Sequence, residues 1–241
     1  MAETPVYLHG LPGGAEELAL AGVTMAVAPR PGGLEATAAQ IRAMVPGPLH
    51  LVGFSLGGAM ALRLAPLLNP ARIDLIASAA PLHLGDFLPR MAGAPVFRAA
   101  RHPALLRALT AAQALGFRAV PGRALQMLFV GAAEGERVLL ADPARRGLLL
   151  AGIRGSLGAR RAAYLAEVTD YVRRWEVCVP QTVPLTIWQG AADTWVPPAM
   201  ARALCHALPH ARLNLLPGLG HYGALIAALP RIVAAGTKAG A

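Results

Sequence analysis

Residues 49–57 read Leu49-His50-Leu51-Val52-Gly53-Phe54-Ser55-Leu56-Gly57. Leu49–Val52 is a short apolar run suited to a strand buried on both faces, and Gly57–Leu68 follows with helical spacing before Pro70. A serine at such a junction, with glycine two residues before and after, sits on a sharp turn that lifts its hydroxyl clear of the sheet. The glycines are needed because strand and helix backbones approach closely there. The chain has three serines, which provides an internal control. Ser156, in Gly155-Ser156-Leu157-Gly158, has Arg154 two residues before it and no strand leading in, and Ser78 lacks the glycines. Ser55 alone passes.

Working outward, short apolar runs alternate with helical patterns. Pro5–His9, Val23–Val27, Leu49–Val52, Ile73–Ala77, Pro184–Trp188 and Arg212–Leu216 read as strands. Leu34–Val45, Gly57–Leu68, Ala199–Ala207 and Ala224–Ala235 read as helices. Strands separated by helices need crossovers, so the fold class is α/β, with a mainly parallel six-stranded sheet flanked by helices. Between Pro81 and Val183 the pattern turns to Leu, Ala and Arg, with helical periodicity near 99–116, 122–133 and 160–175. About 100 residues is too long for an ordinary connection. The expected organisation is a core of residues 1–80 and 176–241 with a helical cap, 81–175, inserted before the fifth strand. The end of that insert is the part that would return to the core.

Composition narrows the class. Of the 241 residues, 55% are hydrophobic and 15% charged, which excludes a disordered chain. Mean hydropathy is +0.48, yet the longest uncharged run, between Arg42 and Arg63, carries prolines, glycines, His50 and Ser55, unlike a spanning helix. No basic segment followed by a long apolar stretch opens the chain, so no signal peptide is expected. Cys178 and Cys205 have no metal or redox spacing and suit two free thiols in a cytoplasmic protein. Net charge is +9, partitioned as −1 over residues 1–80, +7 over 81–183 and +3 over 184–241. The basic middle third suits either a solvated, arginine-rich helical surface or an anionic substrate. No stacking motif for nucleic acid is present.

A serine hydroxyl is a weak nucleophile without a base and a group that orients the base. In sheets of this kind these follow in the order Ser, Asp or Glu, His. Asp193 stands in Gln189-Gly190-Ala191-Ala192-Asp193-Thr194-Trp195-Val196-Pro197, just past the fifth strand, and His221 in Pro217-Gly218-Leu219-Gly220-His221-Tyr222, in a glycine-rich loop past the sixth. Both fall at the carboxyl edge of the sheet, where ligands bind. A developing oxyanion needs fixed donors. The backbone N–H of Leu56 is one candidate. The other is that of Leu11 in His9-Gly10-Leu11-Pro12-Gly13-Gly14.

These motifs resemble the α/β-hydrolase superfamily, in particular small cap-bearing esterase-like members with a His-Gly-x-Pro-Gly loop. Matches at 9–14, 53–58, 188–197 and 218–221 span nearly the whole chain. The resemblance implies a Ser55-Asp193-His221 triad, an oxyanion hole at Leu11 and Leu56, and no metal or organic cofactor. It also implies a fold lacking the first two strands, since eight residues precede His9. The edge strand at Val23–Val27 would then be less protected, so the chain is expected as a monomer or as a homodimer through that region. The expected reaction is hydrolysis of a carboxylic ester through an acyl-serine intermediate. Thioester, acyl-transfer and carbon–carbon bond chemistry share the same constellation, and fold alone does not separate them. Outside that class stands a small-molecule sensor with little turnover, and a lipase acting at a lipid surface is a third reading. Tyr222, Trp195, Phe117, Met127 and Phe129 are candidates for an acyl pocket. Asp86 is a weaker candidate for the orienting acid, and His206 with His210 lacks the further ligands of a metal site. The expected partner is a small acyl compound, with neither nucleic acid nor integral membrane association.

Overall fold

A computed structural model describes residues 3–239, with side chains through Gly236. Six strands, β1 (Thr4–Leu8), β2 (Ala26–Val27), β3 (Leu49–Phe54), β4 (Arg72–Ile76), β5 (Leu185–Gly190) and β6 (Arg212–Leu216), form one sheet. Their order is β2-β1-β3-β4-β5-β6, and every neighbouring pair is parallel. Every residue of β3 is buried, which its unbroken apolar run requires of a strand covered on both faces. The edges differ. β2 pairs through two residues, shorter than the apolar run Val23–Val27 suggests, and β6 leaves Leu213 and Leu215 exposed.

Helices α1 (Glu16–Leu20), α2 (Leu34–Met44) and α3 (Leu56–Leu68) connect the first four strands, and α10 (Pro198–Ala207) joins β5 to β6. The chain ends in α11 (His221–Ala239). Between β4 and β5 lie α4 (Ala94–Ala99), α5 (Pro103–Ala119), α6 (Pro121–Leu128), α7 (Glu134–Ala141), α8 (Pro143–Leu157) and α9 (Arg161–Tyr171). Asp142 starts α8 by accepting from Ala144 N at 2.8 Å, with Pro143 behind it, a helix-start signal legible in the sequence. These helices are tied to the sheet and its flanking elements by buried polar contacts. Arg30, beyond β2, forms a buried ion pair with Glu167 of α9, and Tyr171 donates to Ala80 O at 2.8 Å.

Strand order reverses direction at β1 and β3, since β1 leads outward to β2 and β3 leads the other way to β4. The crevice beyond the carboxyl ends of strands at such a switch point is where open parallel sheets bind ligands. Here those ends run into the His9-Gly10 turn and into Ser55.

Candidate active site

Ser55 is the junction of β3 and α3, with φ 56° and ψ −123°, a conformation costly for any residue with a Cβ. The surroundings over-determine it. Ser55 N donates to Ile76 O at 3.0 Å, and Ser55 O accepts from Gly58 N at 3.0 Å and Ala79 N at 3.1 Å. A Cβ at Gly53 would meet Gly58 Cα at 2.6 Å, and one at Gly57 would collide with the Leu8 and His9 carbonyls. The flanking glycines are therefore structural necessities of the turn. Strain of this kind costs about 1–3 kcal/mol and persists where the fold enforces it.

Asp193 and His221 form a buried pair, with His221 Nδ1 2.8 Å from Asp193 Oδ2. The other oxygen, Oδ1, accepts from the Trp195 and Val196 amides at 2.8 and 2.9 Å, and Gln189 Nε2 reaches Oδ2 at 3.3 Å. The carboxylate is thus fixed by the loop that carries it. The His221 ring packs on Phe54, next to Ser55, at 4.6 Å between centroids and stacks on Trp195 at 5.4 Å. Burial works to lower the His221 pKa. The charge and hydrogen bond of Asp193, with Glu136 and Glu17 behind them, outweigh it and hold the pKa above its ordinary value. Ser55 and His221 are both buried and share this edge, but no hydrogen bond joins their side chains. His221 is the first residue of α11 rather than part of the glycine loop, because the helix begins at Gly220 O, which accepts from Ala224 N at 3.0 Å.

Leu11 and Leu56 flank Ser55 in one cavity of about 180 Å³. Neither backbone N–H has a partner among the described residues. The turn bearing Leu11 is supported from below by Glu17, whose Oε2 accepts from Gly10 N at 2.9 Å and Tyr7 Oη at 2.7 Å. Burial pushes the Glu17 pKa up to about 7, against the lowering effect of those two bonds. His9 is buried beside Arg30 and pushed down to about 3, so it is neutral and its Nδ1–H donates to Gly10 O at 2.7 Å.

Of the acyl-pocket candidates, Phe117 and Trp195 line the cavity beside Ser55. Three other pocket candidates do not. Met127 points outward, 76% exposed. Tyr222 and Phe129 are buried but lie behind Trp195, against which they pack at 5.6 and 5.2 Å. Asp86 is exposed, and Ser156 is buried inside α8. No group of metal-ligating side chains forms among the described residues, His206 and His210 included. Sequence reading missed the polar lining residues Gln113 and Tyr164, because a polar residue on a helix otherwise reads as a solvated face. A wider groove of about 1120 Å³ between α2, α5 and α9 contains none of the candidate site residues.

Comparison with known proteins decides the family. The model of the alpha/beta hydrolase family matches residues 8–235. The chain belongs to that family. Among solved structures, this alpha/beta hydrolase is similar to a bromoperoxidase from Bacillus anthracis, with a TM-score of 0.63 and 16% identity over 99% of this chain and 92% of that one. It is also similar to an alpha/beta hydrolase fold protein from Nakamurella multipartita (TM-score 0.62, 19% identity, 100% and 94% covered). A thermophilic esterase gives 0.59 at 15% identity over 97% and 90%. A comparison with curated proteins finds no match. At these identities the neighbours establish fold and leave chemistry to the residues.

Proposed function

We propose that this alpha/beta hydrolase cleaves a neutral carboxylic ester through an acyl-Ser55 intermediate. The observation that carries the reading is the buried Asp193–His221 pair at the same sheet edge as the strained Ser55 turn, beside an uncharged cavity. Asp193 holds the ring by accepting the Nδ1 proton, which leaves Nε2 free to take the Ser55 proton as the hydroxyl attacks the ester carbonyl. The Leu11 and Leu56 amides, unpartnered at the cavity wall, receive the oxyanion. His221 then passes its proton to the departing alkoxide, and the same ring activates water to release the acid. Proton transfer requires Ser55 and His221 to close to hydrogen-bond distance during turnover, a contact that often tightens only with substrate present. Since the base must be neutral, kcat/KM falls as pH drops through the His221 pKa, which burial opposes but Asp193 raises above 6.5.

Cavity chemistry selects the substrate. Its lining contains no charged side chain among the described residues, and its volume is below the range of about 300–1,000 Å³ for drug-sized ligands. A short to medium, uncharged acyl chain fits. The arginine excess supports this indirectly, since several guanidinium groups are engaged in the framework: Arg154 with Phe117 O, Arg160 with Gly13 O and Arg161 with Leu157 O, each within 3.0 Å. Nitrophenyl esters of rising acyl length, assayed with wild type and Ser55→Ala, test the proposal. Rates should peak at short to medium chains and vanish in the variant; equal rates in both proteins reject it.

A second reading is favoured by one surface. Leu115, Val120, Met127 and Val130 are exposed on the corner of α5 and α6 together with Arg118 and Arg123. Apolar side chains among cations suit contact with an anionic lipid surface, where esters accumulate. Co-sedimentation with anionic but not neutral vesicles is the expected result, and no association with either removes this reading.

A further inference from the structure

The residues that hold His221 are not confined to the sheet domain. Helix α11 begins at His221, so the amides of Tyr222 and Gly223 lie in its first turn and have no partner within the helix. Gly220, in the capping position, has no side chain to serve them. Glu136 of α7 does so from another element. Its Oε1 accepts from Gly223 N at 2.8 Å and its Oε2 from Tyr222 N at 3.2 Å. Glu136 is buried, with 2% of its surface exposed. A Cβ at Gly220 would stand 2.6 Å from Glu136 Cγ, so the glycine makes room for the carboxylate. Phe129, just past α6, adds a second contact from the insert. It packs against Trp195 at 5.2 Å and Tyr222 at 5.8 Å, the two rings that border His221.

From this geometry we infer that Glu136 is a positioning residue for His221, supplied by the inserted helices. It fixes the first turn of α11, and with it the direction of the imidazole. Its charge also supports the imidazolium that forms as Ser55 is deprotonated. The inserted helices therefore complete the base as well as enclosing the acyl group. The groups facing His221 are Asp193 from the loop after β5, Glu136 from α7 and Glu17 from α1, with the neutral Tyr222 ring alongside. Arg30 and Tyr7 face Glu17. Glu136 raises the His221 pKa, and its own pKa is raised by burial, partly offset by the two amide bonds and by His221.

The inference rests on His221 being the base for Ser55. Its test is the pH profile of nitrophenyl ester hydrolysis in Glu136→Gln, with Glu134→Gln, exposed on the same helix, as the control. Glu136→Gln should lower kcat about 10- to 100-fold, the scale of a small misplacement of a reacting group. KM should change little, because Glu136 does not line the cavity. The acid inflection of kcat/KM should move to lower pH. Glu136→Asp keeps the charge at shorter reach, so its inflection should stay near wild type while kcat falls less than in Glu136→Gln. Wild-type kcat and inflection in Glu136→Gln, even with a lower Tm, would overturn the inference and leave Glu136 a helix cap only. The same shift in Glu134→Gln would overturn it too. If Glu136→Gln does not fold, Glu136→Asp carries the test, and a wild-type kcat there is decisive against. Activity that survives Ser55→Ala removes the parent reading as well; loss of activity there with a wild-type profile in Glu136→Gln removes only this inference.

Discussion

The sheet edge and the helices between β4 and β5 both supply residues around the candidate site, but they position them by different means. At the sheet edge, backbone does the placing. Ser55 is locked in a strained turn by amide bonds to β4 and its continuation, and Asp193 is held by the amides of its own loop. In the insert, side chains reach across to backbone and to charge: Glu136 to the start of α11, Glu167 to Arg30, Arg160 to Gly13 O. Backbone placement is local and rigid, whereas placement by side chains depends on two elements staying docked. Substitutions at the edge should therefore abolish chemistry while sparing the fold. Those at the junction should loosen the fold and reduce chemistry in proportion.

The largest effect is expected for Ser55→Ala, a loss in kcat/KM of about 10⁴-fold or more, since the proposed mechanism gives Ser55 the role of nucleophile. Asp193→Asn should cost about 10³- to 10⁴-fold with little change in Tm, because Asn retains an acceptor for the Trp195 and Val196 amides but disfavours the needed tautomer. A drop of only a few-fold would mean that Glu136 or Glu17 orients His221 instead. At the junction, Glu167→Ala strands the buried Arg30 guanidinium and should cost about 3–5 kcal/mol in urea denaturation. Replacing both partners by methionine should cost much less. Equal losses would show that packing, rather than the ion pair, docks the insert.

Glu17 gives a smaller, pH-dependent effect. Its folded pKa, about 7, is raised by burial above the ordinary value of 4.5. The stability it contributes is therefore full below pH 4.5 and is lost as pH rises through 7. Glu17→Gln should be more stable than wild type at pH 8, by at most about 3 kcal/mol, and nearly equal at pH 4. A Tm difference of opposite sign at pH 8 would show that its bonds to Gly10 and Tyr7 outweigh the burial of charge. Smallest of all, Met127→Ser on the exposed face of α6 should change stability by less than about 0.5 kcal/mol and leave ester hydrolysis intact.

The same contrast explains what could be read in the sequence. The buried strand Leu49–Val52, the glycines about Ser55 and the positions of Asp193 and His221 after their strands are local signals, and local periodicity and turn chemistry report them. Glu136 was not legible. Nothing in Glu134-Gly135-Glu136 marks one acid as solvated and the other as bound 86 residues away to Tyr222 N. The Arg30–Glu167 pair, at a separation of 137, is equally silent. So is Asp74, buried in β4, which accepts from Trp188 Nε1 at 2.9 Å and Arg72 Nε at 2.8 Å and lies 2.8 Å from His50 Nε2. In α8, Leu, Ala and Arg repeat without strong amphipathic contrast, so periodicity delimits it poorly, although Asp142-Pro143 marks its start.

The central claim is that Ser55 is the one activated nucleophile, and labelling tests it most directly. Incubation with a serine-directed fluorophosphonate, followed by peptide mass mapping, should place one adduct on the peptide containing Ser55. The labelling rate should fall at acid pH as His221 becomes protonated. No adduct, or an adduct on Ser156 or Ser78, would contradict the account.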